Sequence, residues 1–113
     1  MRYIMKKPET ETERILRAIC SDYPRRKKVL QKSQLPAEVL QVCLVLNQAV
    51  DESMEEAYAV TQVYAPNFSE VMLKDIAECR GFAYSPLSAV MCEGSYKKYK
   101  RMVKKGIATR LGL

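Results

Sequence analysis

The stretch Pro36-Ala-Glu-Val-Leu-Gln-Val-Cys-Leu-Val-Leu-Asn-Gln-Ala-Val-Asp-Glu-Ser-Met-Glu-Glu-Ala57 decides the fold class. At about 100° of rotation per residue, Val39, Val42, Cys43, Leu46, Ala49, Val50, Met54 and Ala57 fall along one face, the spacing of a helix that buries one side. Its first two turns, Val39 to Leu46, add Leu40, Leu44 and Val45 on other faces, so that end is hydrophobic nearly all round. Such an end is either wrapped by the other helices or covered by a second copy, with Leu40 and Leu44 as the residues of a homodimer interface. The acids Asp51, Glu52, Glu55 and Glu56 follow on the outer side as a solvated face.

Toward the N-terminus, a first helix is expected from near Pro8, since proline suits a first turn and Glu9, Glu11 and Glu13 sit where the helix dipole favours negative charge. Ile15, Leu16, Ile19 and Cys20 are its apolar side. Ser21-Asp22-Tyr23-Pro24 interrupts it, with Ser21 or Asp22 as caps, and a short helix follows that carries Arg25, Arg26, Lys27, Lys28 and Lys32 above Val29 and Leu30.

Toward the C-terminus, Tyr64 to Asn67 ends the long helix, because Pro66 disfavours helix in the residue before it. Ser69 then caps a helix running to Arg80, with Met72, Leu73, Ile76, Ala77 and Cys79 inward and Gly81 as the stop. Ser85-Pro86 starts a short helix through about Cys92, and Gly94-Ser95 breaks it and caps a last helix to Leu113. In that helix Tyr96, Tyr99, Val103, Ile107 and Leu111 share one side, while Lys97, Lys98, Arg101, Lys104 and Lys105 crowd an arc of about 120° opposite. No strand pattern stands out, so the expected class is all-α: one domain over 1–113, with basic helices in 1–35, core helices in 36–80 and a helix-turn-helix in 85–113. In that motif Ala89 is the small residue where two helices cross.

The 113 residues carry a net charge of +6, unevenly placed. Residues 1–35 hold ten basic and four acidic side chains, residues 36–80 two and eight, and residues 81–113 seven and one. Positive ends around a negative middle favour a polyanion, most simply nucleic acid, DNA or RNA alike. Cys20, Cys43, Cys79 and Cys92 are scattered through apolar helical stretches without a Cys-x-x-Cys pair, and histidine is absent. That pattern suits reduced core thiols and no metal site. With no signal-like N-terminus and no span-length apolar run, a cytoplasmic protein without a membrane partner is expected.

The run Ser95-Tyr96-Lys97-Lys98-Tyr99-Lys100-Arg101, continuing through Val103, Ile107 and Ala108 to Arg110-Leu111-Gly112-Leu113, resembles the C-terminal end of phage-encoded transcriptional regulators of the RinA and ArpU type, whose DNA-binding part is similar to region 4 of sigma factors. Ile15-Leu16 and Asp22-Tyr23-Pro24-Arg25-Arg26-Lys27-Lys28 resemble the tyrosine-plus-basic helix near their start. The resemblance covers about half the chain, at its two ends, and leaves Glu55 to Phe68 and Phe82 to Pro86 outside the pattern. It implies a DNA-binding regulator working with the transcription machinery. Ser95, Tyr96, Lys97, Lys98 and Arg101 would then meet base edges or nearby phosphates, Lys104 and Lys105 the backbone, and Arg25, Arg26, Lys27 and Lys28 a second basic surface. The spacing of Tyr96 and Tyr99 also fits core packing rather than base stacking.

Catalysis finds little support. Tyr96 and Lys100 form a Tyr-x-x-x-Lys pair, but no glycine-rich strand-to-helix turn accompanies it to hold a cofactor. Without histidine, a hydrolase needs a lysine or carboxylate base, and the carboxylates lie on outward helix faces. The expectation is a non-enzyme without catalytic residues or cofactor, binding DNA or serving as a helical dimerisation module.

Overall fold

The computed structural model describes residues 9–32, 34–61 and 67–113. Among these the protein is all-α: α1 (Glu11–Ser21), α2 (Tyr23–Gln31), α3 (Ala37–Thr61), α4 (Phe68–Ala77) and α5 (Glu93–Leu111), with single 3-10 turns at Phe82–Tyr84 and Pro86–Ala89 between α4 and α5. The expected start at Pro8 and the stop at Tyr64 to Pro66 lie outside the described residues. None of the described helices is long and apolar enough to cross a membrane.

Local chemistry accounts for most boundaries. Thr10 caps α1 by accepting the Glu13 N–H at 3.1 Å. Asp22 alone separates α1 from α2, its N–H closing α1 on Ala18 and its carbonyl opening α2 to Arg26. Neither expected side-chain cap forms there, because the Asp22 carboxylate takes both guanidinium donors of Arg25 at 2.7 and 2.6 Å instead. Helix α4 starts from Asn67 in the left-handed region, φ 68°, rather than from a Ser69 cap. It stops at Ala77, short of the expected Arg80: Cys79 takes the left-handed position at φ 54°, and the Arg80 N–H bonds back to the Asp75 carbonyl at 2.8 Å. Cys79 is therefore exposed, not inward, and so is Cys92, whereas Cys20 and Cys43 are buried; all four are free thiols.

Helix α3 is the axis, with α5 and α2 packed along it and α1 bridging α4 and α5. The core joins Leu16 and Cys20 of α1, Val50, Met54 and Ala57 of α3, Met72 and Ile76 of α4, and Val103 and Ile107 of α5. Phe68, 2% exposed, packs its ring 5.8 Å from that of Tyr58. Each such side chain contributes roughly 1.5–3 kcal/mol by leaving water.

The buried face of α3 is shorter than its hydrophobic pattern. Val39 and Val42, expected in the core, are 44% and 59% exposed, because burial along that face begins only at Cys43 and Ala49. Two polar residues are buried in their place: Asn47 accepts from the Arg26 Nε at 2.7 Å, and Ser53 Oγ donates to the Ala49 carbonyl at 2.7 Å. The acids of α3 are not merely solvated. Asp51 accepts from the Tyr23 hydroxyl at 2.6 Å, and Glu52 and Glu56 hold the Arg110 guanidinium at 3.2 and 2.6 Å. At the tightest crossing, Gly106 of α5 lies on Ser53, where an added Cβ would stand 2.8 Å from Ser53 Oγ. The molecule is elongated, 55 × 34 × 21 Å.

Candidate nucleic-acid interface

Helix α5 is held by its buried side, and that side sets which cations face outward. It begins at Glu93 with Cys92 in the cap position, so Gly94 and Ser95 lie inside the first turn instead of breaking the chain. Its other end closes on Gly112 in the left-handed conformation, φ 72°. The expected short helix before it is a 3-10 turn, started as anticipated by Ser85, whose Oγ accepts the Leu87 N–H at 3.1 Å. Ala89 is exposed, so it is not the buried small residue expected where two helices cross.

Tyr96 is the anchor, not a DNA contact. It is 1% exposed, and its hydroxyl donates to Asp75 Oδ2 at 2.8 Å, with the Arg80 carbonyl at 3.2 Å. Burial, then the Asp75 carboxylate, push its phenol pKa well up. Phe82 packs at 5.5 Å between ring centroids. Lys100 joins this cluster: its ammonium donates to the Arg80 carbonyl at 2.6 Å and stands 5.4 Å from the Tyr96 ring, with burial lowering its pKa. Asp75 is fully buried, and its Oδ1 receives no hydrogen bond, the Arg80 guanidinium standing 3.7 Å away.

On the other side, Lys97, Lys100, Arg101, Lys104 and Lys105 line a groove of about 420 Å³ against Glu13 and Leu16 of α1. Glu13 is the one acid in that lining. Lys97 pairs with Glu93 at 3.0 Å, an exposed i,i+4 bridge worth little in water. Lys98 is exposed beside the groove, 6.0 Å from the Tyr99 ring, and Ser95 is half-buried with its Oγ 3.2 Å from Cys92 Sγ.

Helix α1 brings two further cations that the sequence reading passed over. Glu9 takes both Arg17 donors at 2.9 Å, and its pKa is lowered first by that pair, then by the charges of Arg14 and Lys104. Arg14, Arg17 and Lys104 therefore share one electrostatic neighbourhood. Their sequence signal was three residues' spacing on one helix, masked by the acids interleaved with them.

The second basic block does not extend this groove. Arg26 is 3% exposed and structural: besides Asn47 it bonds the Ile19 carbonyl and stands 3.5 Å from Asp22, and burial lowers its pKa. Arg25 is engaged by Asp22, and Lys27 lines a separate cavity of about 450 Å³ with Glu70, Lys74 and Glu78. Lys28 is exposed. The two basic segments thus line grooves that have no residue in common. Of the two residues expected at a dimer interface, Leu40 is half-buried on the side of Asn47 and Leu44 is 39% exposed.

No family model, curated protein or solved structure matches the chain.

Proposed function

We propose that the protein binds duplex DNA through α5 and acts as a transcriptional regulator. The observation that carries this reading is the groove between α1 and α5, lined by five lysines and arginines and one carboxylate, in which Lys97 is paired with Glu93 and Lys100 with the Arg80 carbonyl while Arg101, Lys104 and Lys105 carry the charge offered to a ligand. A surface that concentrates cations in this way gains affinity for a polyanion by releasing its condensed counterions. In this reading α5 docks on DNA by its cationic side without the first helix of a helix-turn-helix, since Pro86–Ala89 before it is a single 3-10 turn.

The division of labour follows from the side chains. Lys98, Lys104 and Lys105 grip phosphates as point charges, while Arg101 carries the planar fork suited to guanine or to a phosphate. Neither asparagine nor glutamine occurs in α5, so adenine lacks its usual bidentate partner and binding draws chiefly on the backbone.

The test is a fluorescence-anisotropy titration with duplex DNA across a salt series. With about four or five phosphates neutralised, the log-log slope is about −4. Arg101→Glu with Lys105→Glu, both at exposed positions, should remove binding while far-ultraviolet circular dichroism stays unchanged. Absence of binding at low salt, or retained affinity in that double variant, defeats the proposal. Competition by structured RNA at matched salt separates the two polyanions.

A further inference from the structure

The first turns of α3, with Leu35 in the bend just before them, carry an apolar strip that nothing in the described structure covers. Leu35, Val39, Val42 and Val45 are 41%, 44%, 59% and 42% exposed, whereas Ala49, next along the same face, is 4% exposed. At about 100° per residue Val39, Val42 and Val45 fall within roughly 120° of arc, in line with Ala49 and Ser53, where α5 packs, and Leu35 lies in the bend just before the helix. Burial therefore stops along a face whose chemistry continues. Within the helix the intervals Val39, Val42, Leu46 are three and four residues, one heptad of the seam that one helix presents to another in a coiled coil.

We infer that this strip is a two-fold interface with a second copy of the chain, formed by antiparallel pairing of the N-terminal halves of α3 about Val42. Charge is the first reason. From Val39 to Val50 there is no Asp, Glu, Lys or Arg. A two-fold axis beside Val42 sets Val39 of one copy near Val45 of the other and Glu38 opposite Leu46, so no charge meets its like. A protein of net charge +6 seeking a dissimilar partner would offer its cations, and this face has none.

Area is the second reason. The four side chains expose on the order of 300 Å² of apolar surface, the size at which a patch on a monomer acquires a function. With a polar rim in the usual interfacial proportion, two copies bury roughly 1,000 Å² in total, enough for a reversible dimer. This inference stands apart from the nucleic-acid reading.

Sedimentation velocity on the full chain, without nucleic acid, tests it. The wild type should show a concentration-dependent monomer–dimer equilibrium. Val42→Glu and Val42→Lys should each weaken it at least about tenfold by placing like charges across the axis, with helical content unchanged because position 42 is exposed. An equimolar mixture of the two should restore the dimer, since Glu then faces Lys. Val90→Glu, at an exposed valine elsewhere, should leave it intact. A wild type that stays monomeric at every concentration overturns the inference, as does a Val42→Glu variant that still dimerises. A mixture that remains monomeric overturns the two-fold pairing. Val39→Glu, on the same strip, supplies the same reading should a change at position 42 disturb the helix.

Discussion

Gly106→Ala pits two well-measured effects against each other. Replacing glycine inside a helix by alanine ordinarily gains about 1 kcal/mol of helix propensity. Here the new Cβ would stand 2.8 Å from Ser53 Oγ, 3.1 Å from Ser53 Cβ and 3.1 Å from an Arg110 guanidinium nitrogen. Arg110 can swing aside. Ser53 cannot, since its Cβ is fixed to the α3 backbone and its hydroxyl is bonded to the Ala49 carbonyl at 2.7 Å. Relief therefore requires α3 and α5 to separate, and overpacking of this kind costs about 1–3 kcal/mol. The rigid obstacle places the cost in the upper half of that range, leaving a net loss of about 1–2 kcal/mol after the propensity gain. For a domain of this size that lowers Tm by about 4–8 °C. Thermal and urea unfolding followed by circular dichroism measure it. A second variant sharpens the cause: Ser53→Gly with Gly106→Ala moves the small residue to the other helix, and the pair should be at least about 1 kcal/mol more stable than the sum of the single changes. A Gly106→Ala protein as stable as wild type, or additivity in the pair, refutes the close crossing.

Two other outcomes follow from single side chains. Tyr96→Phe takes away the hydrogen bond that Tyr96 donates to the Asp75 carboxylate, whose other oxygen has no partner among the described residues; a loss of about 2–3 kcal/mol in urea unfolding is expected, and a variant within experimental error of wild type contradicts the buried pair. Thiol labelling should separate the cysteines by pH. Cys92 is exposed, and its pKa is lowered by hydrogen bonds from the Ser95 hydroxyl and backbone amides at the start of α5, so its thiolate forms below the ordinary range. Cys20 is buried, and desolvation pushes its pKa up to about 11, so it stays protonated until well above neutrality. Iodoacetamide labelling of the native protein, read by peptide mass spectrometry from neutral to mildly alkaline pH, should mark Cys92 and spare Cys20; equal rates at the two positions would contradict both environments.

What was legible in the sequence was periodic or covalent in origin. The helical spacing of Tyr96, Val103 and Ile107 marked the buried side of α5 correctly, and the Ser85-Pro86 pair marked a capped start, because the i, i+3, i+4 rule and proline's missing N–H act within one segment. The all-α class and the cation-rich arc of α5 were legible for the same reason. What the tertiary structure decided was which cations remain available and where burial ends. Arg25 and Arg26 read alike on paper; one is exposed and bound to Asp22, the other is inside, bound to Asn47 and the Ile19 carbonyl. Val42 and Val50 are the same residue eight positions apart on one helix, yet one is 59% exposed and the other 1%. Nothing local separates them, since burial is a property of what packs across the gap. Only when α5 settles on Ser53 through Gly106 does the chain determine which part of α3 becomes core and which part remains a surface.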